Sequence, residues 1–361
     1  AAAWSCRFGM LPDASACASA SSAADFFGAP GRLPVYTGVG GMCAVPVGIL
    51  EEALALGCTV RSGVRVASMN RLSTAGWLLS GTSGKAALHD TKEEEAARAS
   101  PDSLGEFDAV VVTDVSASMG SWHRASAGVP EAMASRVRGR TRVALFVALF
   151  AFETPVQVPL DAISCDDDTL WFAARTSSKP GLEAGGLDCW TLVSTPRYAV
   201  AEVARVPMQD PKTGAFIPQD MSYLREAPCA DLRAAFERML GASEHAASSL
   251  PLPKAVYVGG QRWGSAFPAP AGVGGRDAAG RGPQTVEVLG VAYDSAASLD
   301  LVPEAAEGTP ADGARDFFAD DEERIYYAGD YISTGRPGVE SAALSGLGAA
   351  RHVAAALQAR A

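Results

Sequence analysis

The sequence predicts an α/β domain interrupted by an α+β insertion, and three observations carry that prediction. First, the apolar run Ile325-Tyr326-Tyr327-Ala328 meets Gly329-Asp330, and a stretch dense in small residues starts at Gly338. This reads as a strand, a carboxylate-bearing turn and a helix able to pack closely. Second, residues 107–113 form another continuous apolar run, the signature of a strand buried on both faces. Third, residues 143–152, 170–174, 189–194 and 255–262 read as strands with long connections, and helices are expected over 198–204 and 230–240. Runs of strands with helices to one side describe an α+β layer.

Taken in order, residues 1–22 are rich in Ala and Ser, with no basic start and no long apolar core, so they do not read as a secretory signal. Residues 33–36 are too short and proline-broken to make a buried strand. Residues 42–56 have apolar positions at helical spacing and stop at Gly57, a good helix end. Residues 58–61, 64–69 and 77–80 read as short strands, and 81–106, with its Lys92-Glu93-Glu94-Glu95 run, as an exposed insertion within a hairpin. Residues 269–282 and 303–321 are rich in Gly, Ala, Pro and acidic side chains and read as mobile connections. The expected boundaries are an irregular leading segment 1–35, a discontinuous domain from 36–121 and 322–361, and an inserted domain 122–321.

Composition narrows the function classes. A chain of 361 residues can hold two domains. A net charge of −11, with no basic stripe, argues against a nucleic-acid partner. The longest apolar run, 143–152, is too short for a membrane span. The seven cysteines are scattered without a CxxC pair and read as small buried hydrophobes in a reducing compartment, cytoplasm or organellar stroma. The four histidines are isolated, so no metal set is expected. Ser177-Ser178-Lys179 lacks the SxxK spacing of a serine/lysine hydrolase.

The residues that can carry chemistry cluster at the C-terminus. Asp330 offers a carboxylate that accepts hydroxyl hydrogen bonds, or alternatively caps a turn. Gly338, Val339 and Glu340 begin a helix whose free N–H groups and dipole stabilise negative charge, and glycine lets a ligand approach the backbone. A phosphate- and ribityl-bearing cofactor suits such a place. Thr113 ends its strand where ligand crevices open. Arg175, Lys179 and Arg262 can supply positive charge to a dinucleotide-like substrate, and Trp171, Trp190 and Trp263 can supply flat walls or simply pack.

The string from Ala328-Gly329-Asp330-Tyr331 through Gly338-Val339-Glu340-Ser341-Ala342 to Ala349-Ala350 resembles the C-terminal FAD motif of the amine-oxidase-like flavoproteins. Arg175-Thr176-Ser177-Ser178-Lys179-Pro180-Gly181, Cys189-Trp190-Thr191-Leu192, Gln261-Arg262-Trp263 and Tyr36-Thr37-Gly38-Val39-Gly40-Gly41-Met42 are similar to segments of the renalase-like NAD(P)/FAD-dependent oxidoreductases. This resemblance implies a Rossmann-like FAD-binding domain with an inserted antiparallel substrate domain. It places Asp330 at the ribityl chain, Gly338, Val339 and Glu340 at the flavin pyrimidine, and Val66 at the adenine. It further implies hydride transfer from a small-molecule donor, such as NAD(P)H or an isomer, to FAD, with reoxidation by O2. An amine oxidase or desaturase of the same superfamily is the first alternative, and a remnant that no longer holds FAD is the second. Flavoproteins of this kind open with a GxGxxG unit, which this sequence lacks; Gly38-Val39-Gly40-Gly41 does not have the spacing. The expectation is a chain missing about one βαβ unit at its start, with weak FAD retention.

Overall fold

The computed structural model describes residues 1–4, 7–11, 25–26, 29–30, 35–73, 76–83, 101–118, 127–138, 142–207, 217, 220–243, 250–268, 286–288, 291–293, 315–333 and 338–359. The fold is mixed α/β with mainly antiparallel sheets, and its contacts divide it into two compact units.

The first unit comprises Ala1–Thr59, Val143–Ala266 and Glu287–Ser298. Its frame is a six-stranded sheet in the order Ala255–Pro268, Arg142–Phe152, Asp188–Ser194, Leu170–Arg175, Ala162–Cys165 and Phe8–Leu11. The three pairings from Arg142–Phe152 to Ala162–Cys165 are antiparallel, and Phe8–Leu11 joins in parallel. Helices Pro196–Arg205 and Pro228–Ala242 supply the apolar cover. The first helix starts where it does because the Thr195 hydroxyl accepts the Tyr198 N–H, and Pro196 needs no donor at that position. Phe146, Phe150, Phe152, Trp190 and Leu192 from the strands meet Leu232, Phe236 and Leu240 from the second helix. The Trp190 and Phe236 ring centroids lie 5.2 Å apart. Each such large side chain is worth about 1.5–3 kcal/mol of transfer free energy.

The second unit comprises Val60–Arg142, Phe267–Val286 and Leu299–Ala361. It holds one three-stranded sheet of Val64–Arg71, Trp77–Ser83 and Asp102–Phe107. A second has Ile325–Ala328 at its centre, between Phe317–Asp320 and Val110–Val112. The two share a core of Met69, Trp77, Met133, Val137, Ile325, Tyr327, Tyr331 and Ile332. The Trp77 indole N–H and the Arg71 guanidinium donate to the Glu323 and Glu322 carbonyls, tying the hairpin to that core.

Several sequence expectations change. Residues 107–113 are not one strand: Asp102–Phe107 pairs with Trp77–Ser83, the chain bends at Asp108, and Val110–Val112 pairs with Ile325–Ala328. One apolar run thus serves two sheets. Residues 58–61 make no strand and are exposed, having no partner strand to pair with. Within the region read as mobile over 303–321, Phe317–Asp320 is a strand because it pairs antiparallel with Ile325–Ala328. The rest of that region up to 314, the interior of the insertion at 84–100, and 269–282 lie outside the described residues. Residues 36–59 cluster with the first unit and 127–142 with the second, whereas the sequence puts them in the opposite halves. Hydrogen bonds explain this: Gly40 N–H donates to the Pro180 carbonyl, and Met69 N–H donates to the Ala127 carbonyl.

Candidate functional site

The second unit brings two strand ends together. Ile325–Ala328 has all four residues buried, as a central strand must, and runs parallel to Val110–Val112 in the register Ile325↔Val110, Tyr326↔Val111, Tyr327↔Val112. Both strands therefore finish on the same edge, one with Thr113-Asp114 and the other with Gly329-Asp330. Ligand crevices in α/β sheets open outside such carboxyl ends. The Tyr327 phenol records the convergence: burial, then the Asp330 and Asp114 charges, push its pKa well above the ordinary value, so it stays a donor.

Gly329 makes the turn possible. Its φ of 147° is backbone that side chains avoid, and a Cβ there would lie 3.9 Å from the Thr113 carbonyl oxygen. Its N–H donates to the Ser345 hydroxyl at 2.9 Å, and that hydroxyl donates to the Asp316 carbonyl at 2.5 Å. Ser345 lies on the helix Val339–Gln358, whose buried face is Ser341, Ser345 and Ala349 at four-residue intervals. Small side chains there admit close approach, and at Gly348 an added Cβ would stand 3.1 Å from the Phe317 ring. Farther along, His352 Nε2 meets Asp321 Oδ1 at 2.8 Å. Burial alone would raise the Asp321 pKa, but hydrogen bonds from His352 and Tyr326 outweigh it and hold it below the ordinary value.

Of the sequence candidates in this unit, Asp330 is half-buried and Thr113 is exposed. Val66 is half-buried and packs on the cluster that contains Tyr327 and Tyr331. Gly338, Val339 and Glu340 are exposed at the helix start, where Gly338 has a φ of 139° and an added Cβ would meet nothing within 4 Å.

The candidates of the first unit separate by sheet face. A Cβ at Gly260 would meet Leu224 and Cys229 of the helical layer, so Gly260 and Arg262 point to the helices. A Cβ at Gly259 would meet the Tyr257 ring, so Tyr257, Gly259, Gln261 and Trp263 point to the other face, where Tyr257 is 57% and Trp263 50% exposed. Arg262 is buried, donates to the Val206 carbonyl at 2.8 Å and lies over the Phe146 ring. Trp190 is likewise buried on the helical face and gives its N–H to Asp188. Arg175 lies over the Trp190 ring and bridges Asp161 and Asp188, each at 3.2 Å. It also donates to the Val156 and Val158 carbonyls. Both carboxylates are buried. Lys179 is half-buried, its ammonium 5.1 Å from the Trp4 ring centre. Arg175, Trp190 and Arg262 thus belong to the sheet's internal framework, and Trp263 faces outward.

Sequence reading missed Asp114, and it had Ser345 only as a member of the C-terminal string. The signal for Asp114 was present: Thr113-Asp114 follows one apolar strand as Gly329-Asp330 follows the other. Among the described residues no group of three or more metal-ligating side chains occurs, and no helix is long and apolar enough to cross a membrane.

No family model matches the sequence, and no curated protein does. Among solved structures, the chain is similar to a provisionally named protoporphyrinogen oxidase from Exiguobacterium sp. 255-15, with 12% identity and a TM-score of 0.40 over 63% of this chain and 40% of the other. It is also similar to an oxidoreductase from Methanosarcina mazei, with 12% identity and a TM-score of 0.41 over 87% of this chain and 55% of the other. The chain therefore spans about half the length of the proteins it resembles or less.

Proposed function

We propose that this chain belongs to a flavin-dependent oxidoreductase, with the strand–turn–helix of the second unit holding the flavin end of FAD. One observation carries the reading. Two parallel strands end side by side in Thr113-Asp114 and Gly329-Asp330, and a helix begins at Gly338, where no described residue would meet an added Cβ within 4 Å.

The residues present fit that end of the cofactor. Gly329 and Gly338 carry no side chain, and among the described residues nothing lies within 4 Å of a Cβ added at Gly338. Asp330 supplies an acceptor for ribityl hydroxyls, and the first turn after Gly338 supplies N–H donors and a positive dipole. Val66 would contribute backbone to the adenine side. When bound, FAD supplies the capacity to accept a hydride. The chain's own residues hold, orient and polarise: Asp330 fixes the chain of hydroxyls, and the helix start favours negative charge at the ring edge nearest Gly338, Val339 and Glu340. The buried Tyr327 ring lies beneath the turn, 3.9 Å from where a Gly329 Cβ would stand.

The donor is a small molecule with a transferable hydride, and the resemblance points to a dihydronicotinamide. Trp263, 50% exposed on the sheet of the first unit, and the half-buried Lys179 are the residues of that unit we retain for contact with a substrate. O2 is the electron acceptor the resemblance implies. The discontinuous organisation of the chain, in which the C-terminal strand and helix complete the second unit, is part of the same reading.

Titration of the full chain with FAD, FMN and riboflavin, followed by quenching of flavin fluorescence, tests it. Saturable quenching by all three, weakened by Asp330→Ala, is expected. Absence of quenching at high micromolar flavin would sink the reading.

A further inference from the structure

Three segments far apart in sequence meet at one corner of the first unit. Ala2 and Ala3 pair antiparallel with Thr37 and Tyr36, and Trp4 N–H donates to the Val35 carbonyl at 2.8 Å. The Trp4 indole, 5% exposed, donates to Ser178 Oγ at 3.1 Å, and the Lys179 ammonium lies over the same ring. Ser178 Oγ in turn donates to the Arg175 carbonyl at 2.7 Å. The third contact is backbone: Gly40 N–H donates to the Pro180 carbonyl at 3.0 Å. A Cβ at Gly181 would stand 2.6 Å from the Gly40 nitrogen and 3.0 Å from the Val39 side chain, so these two loops touch with no room for a methyl group.

Arg7 closes the assembly. Its backbone N–H and its Nε both donate to Asp161 Oδ2, at 3.1 and 3.0 Å, and its Nη2 reaches Oδ1 at 3.3 Å. Arg175 holds that same Oδ1 from the other side at 3.2 Å. One buried carboxylate therefore clamps the leading segment to the strand that feeds the 175–181 turn. Bidentate, charge-assisted bonds of this kind are stronger than neutral ones and fix geometry. The 36–41 loop buries little beyond Thr37 and Gly38, with Tyr36 63% and Val39 53% exposed, whereas the 175–181 turn is also held by Thr176 on Thr191 and by Ser177 on Asp188 and Cys189. Segments with few buried contacts open locally at low free energy.

We infer that Ala2, Ala3 and Trp4, with Arg7, form a strap, latched by the Arg7–Asp161–Arg175 bridge, which holds the 175–181 turn and the 38–41 loop in one closed arrangement and covers Ser178 and Lys179 with Trp4. Opening the strap takes the indole away from both side chains and uncovers a hydroxyl and an ammonium together. This is independent of any bound cofactor.

Amide hydrogen exchange on the full chain, read by mass spectrometry, tests the strap. In Arg7→Gln the amides of 36–41 and 177–181 should exchange about 10-fold faster or more, while Arg142–Phe152 and Asp188–Ser194 keep their protection. Trp4→Phe keeps most of the ring's bulk but loses the bond to Ser178, and should loosen the same amides; it serves where Arg7→Gln does not fold. Wild-type protection of those amides in a folded variant overturns the inference. So does a loss of protection that spreads equally through the sheet strands, which would make Ala2, Ala3, Trp4 and Arg7 part of the global fold rather than a strap.

Discussion

Ser345→Ala is the most informative single change in the C-terminal motif. Ser345 is fully buried, and its hydroxyl joins the Gly329 N–H to the Asp316 carbonyl. Alanine leaves the helix propensity intact, so the change isolates those two bonds. Each buried polar group left without a partner costs about 1–3 kcal/mol. With the Gly329 N–H losing its acceptor, the loss should be about 1–3 kcal/mol, beyond an ordinary surface substitution. The two units need not unfold together, so the reading should come from the second unit itself. Hydrogen exchange at Gly329, Ile332 and Ser333 is suited to this, because the last two donate to the Gly329 carbonyl. Those amides should lose protection while the six-stranded sheet keeps its own. The same variant should weaken flavin quenching, since Asp330 follows directly on the loosened residue. A change under about 0.5 kcal/mol in local stability would refute the claim that Ser345 sets the turn.

Asp330→Ala should lower flavin affinity by about 1.5–3 kcal/mol, the value of a charge-assisted hydrogen bond, with little change in melting temperature; unchanged binding removes Asp330 from the site. Arg175→Met should destabilise the first unit by about 1.5–3 kcal/mol, because Asp161 keeps Arg7 while Asp188 loses its cation and is left to the Trp190, Val156 and Ser177 donors; denaturant unfolding followed by tryptophan fluorescence reads this, and a loss below about 0.5 kcal/mol would contradict it. The acid limb of stability should respond to Asp161: burial alone would raise its pKa, but Arg7 and Arg175 bring it below the ordinary 3.8. Its contribution is then complete above that ordinary value and is lost as pH falls through the lower folded value. Asp161→Asn should therefore flatten the stability–pH curve at its acid end, and an unchanged slope there would refute the assignment.

The sequence alone specified those elements whose local pattern and burial agree. Residues 143–152, 170–174 and 189–194 are runs of apolar and β-branched side chains, and the strands found there extend only a residue or two beyond them. Ile325–Ala328 and the helix after Gly338 were legible for the same reason: a continuous apolar run and a small-residue face have few other uses. The pattern misled wherever a segment's role depended on a distant partner. Residues 107–113 read as one strand because an apolar run does not encode a change of sheet; the bend at Asp108 exists because Trp77–Ser83 and Ile325–Ala328 each claim one half. Arg175, Trp190 and Arg262 looked like site residues because charge and flat rings are scarce and useful. Only the alternation of faces along each strand, together with Asp161, Asp188 and the Val206 carbonyl waiting beneath, turned them inward. Composition and spacing set which residues can be buried or bonded, but the choice of partner is a long-range event, and tertiary packing alone decides it.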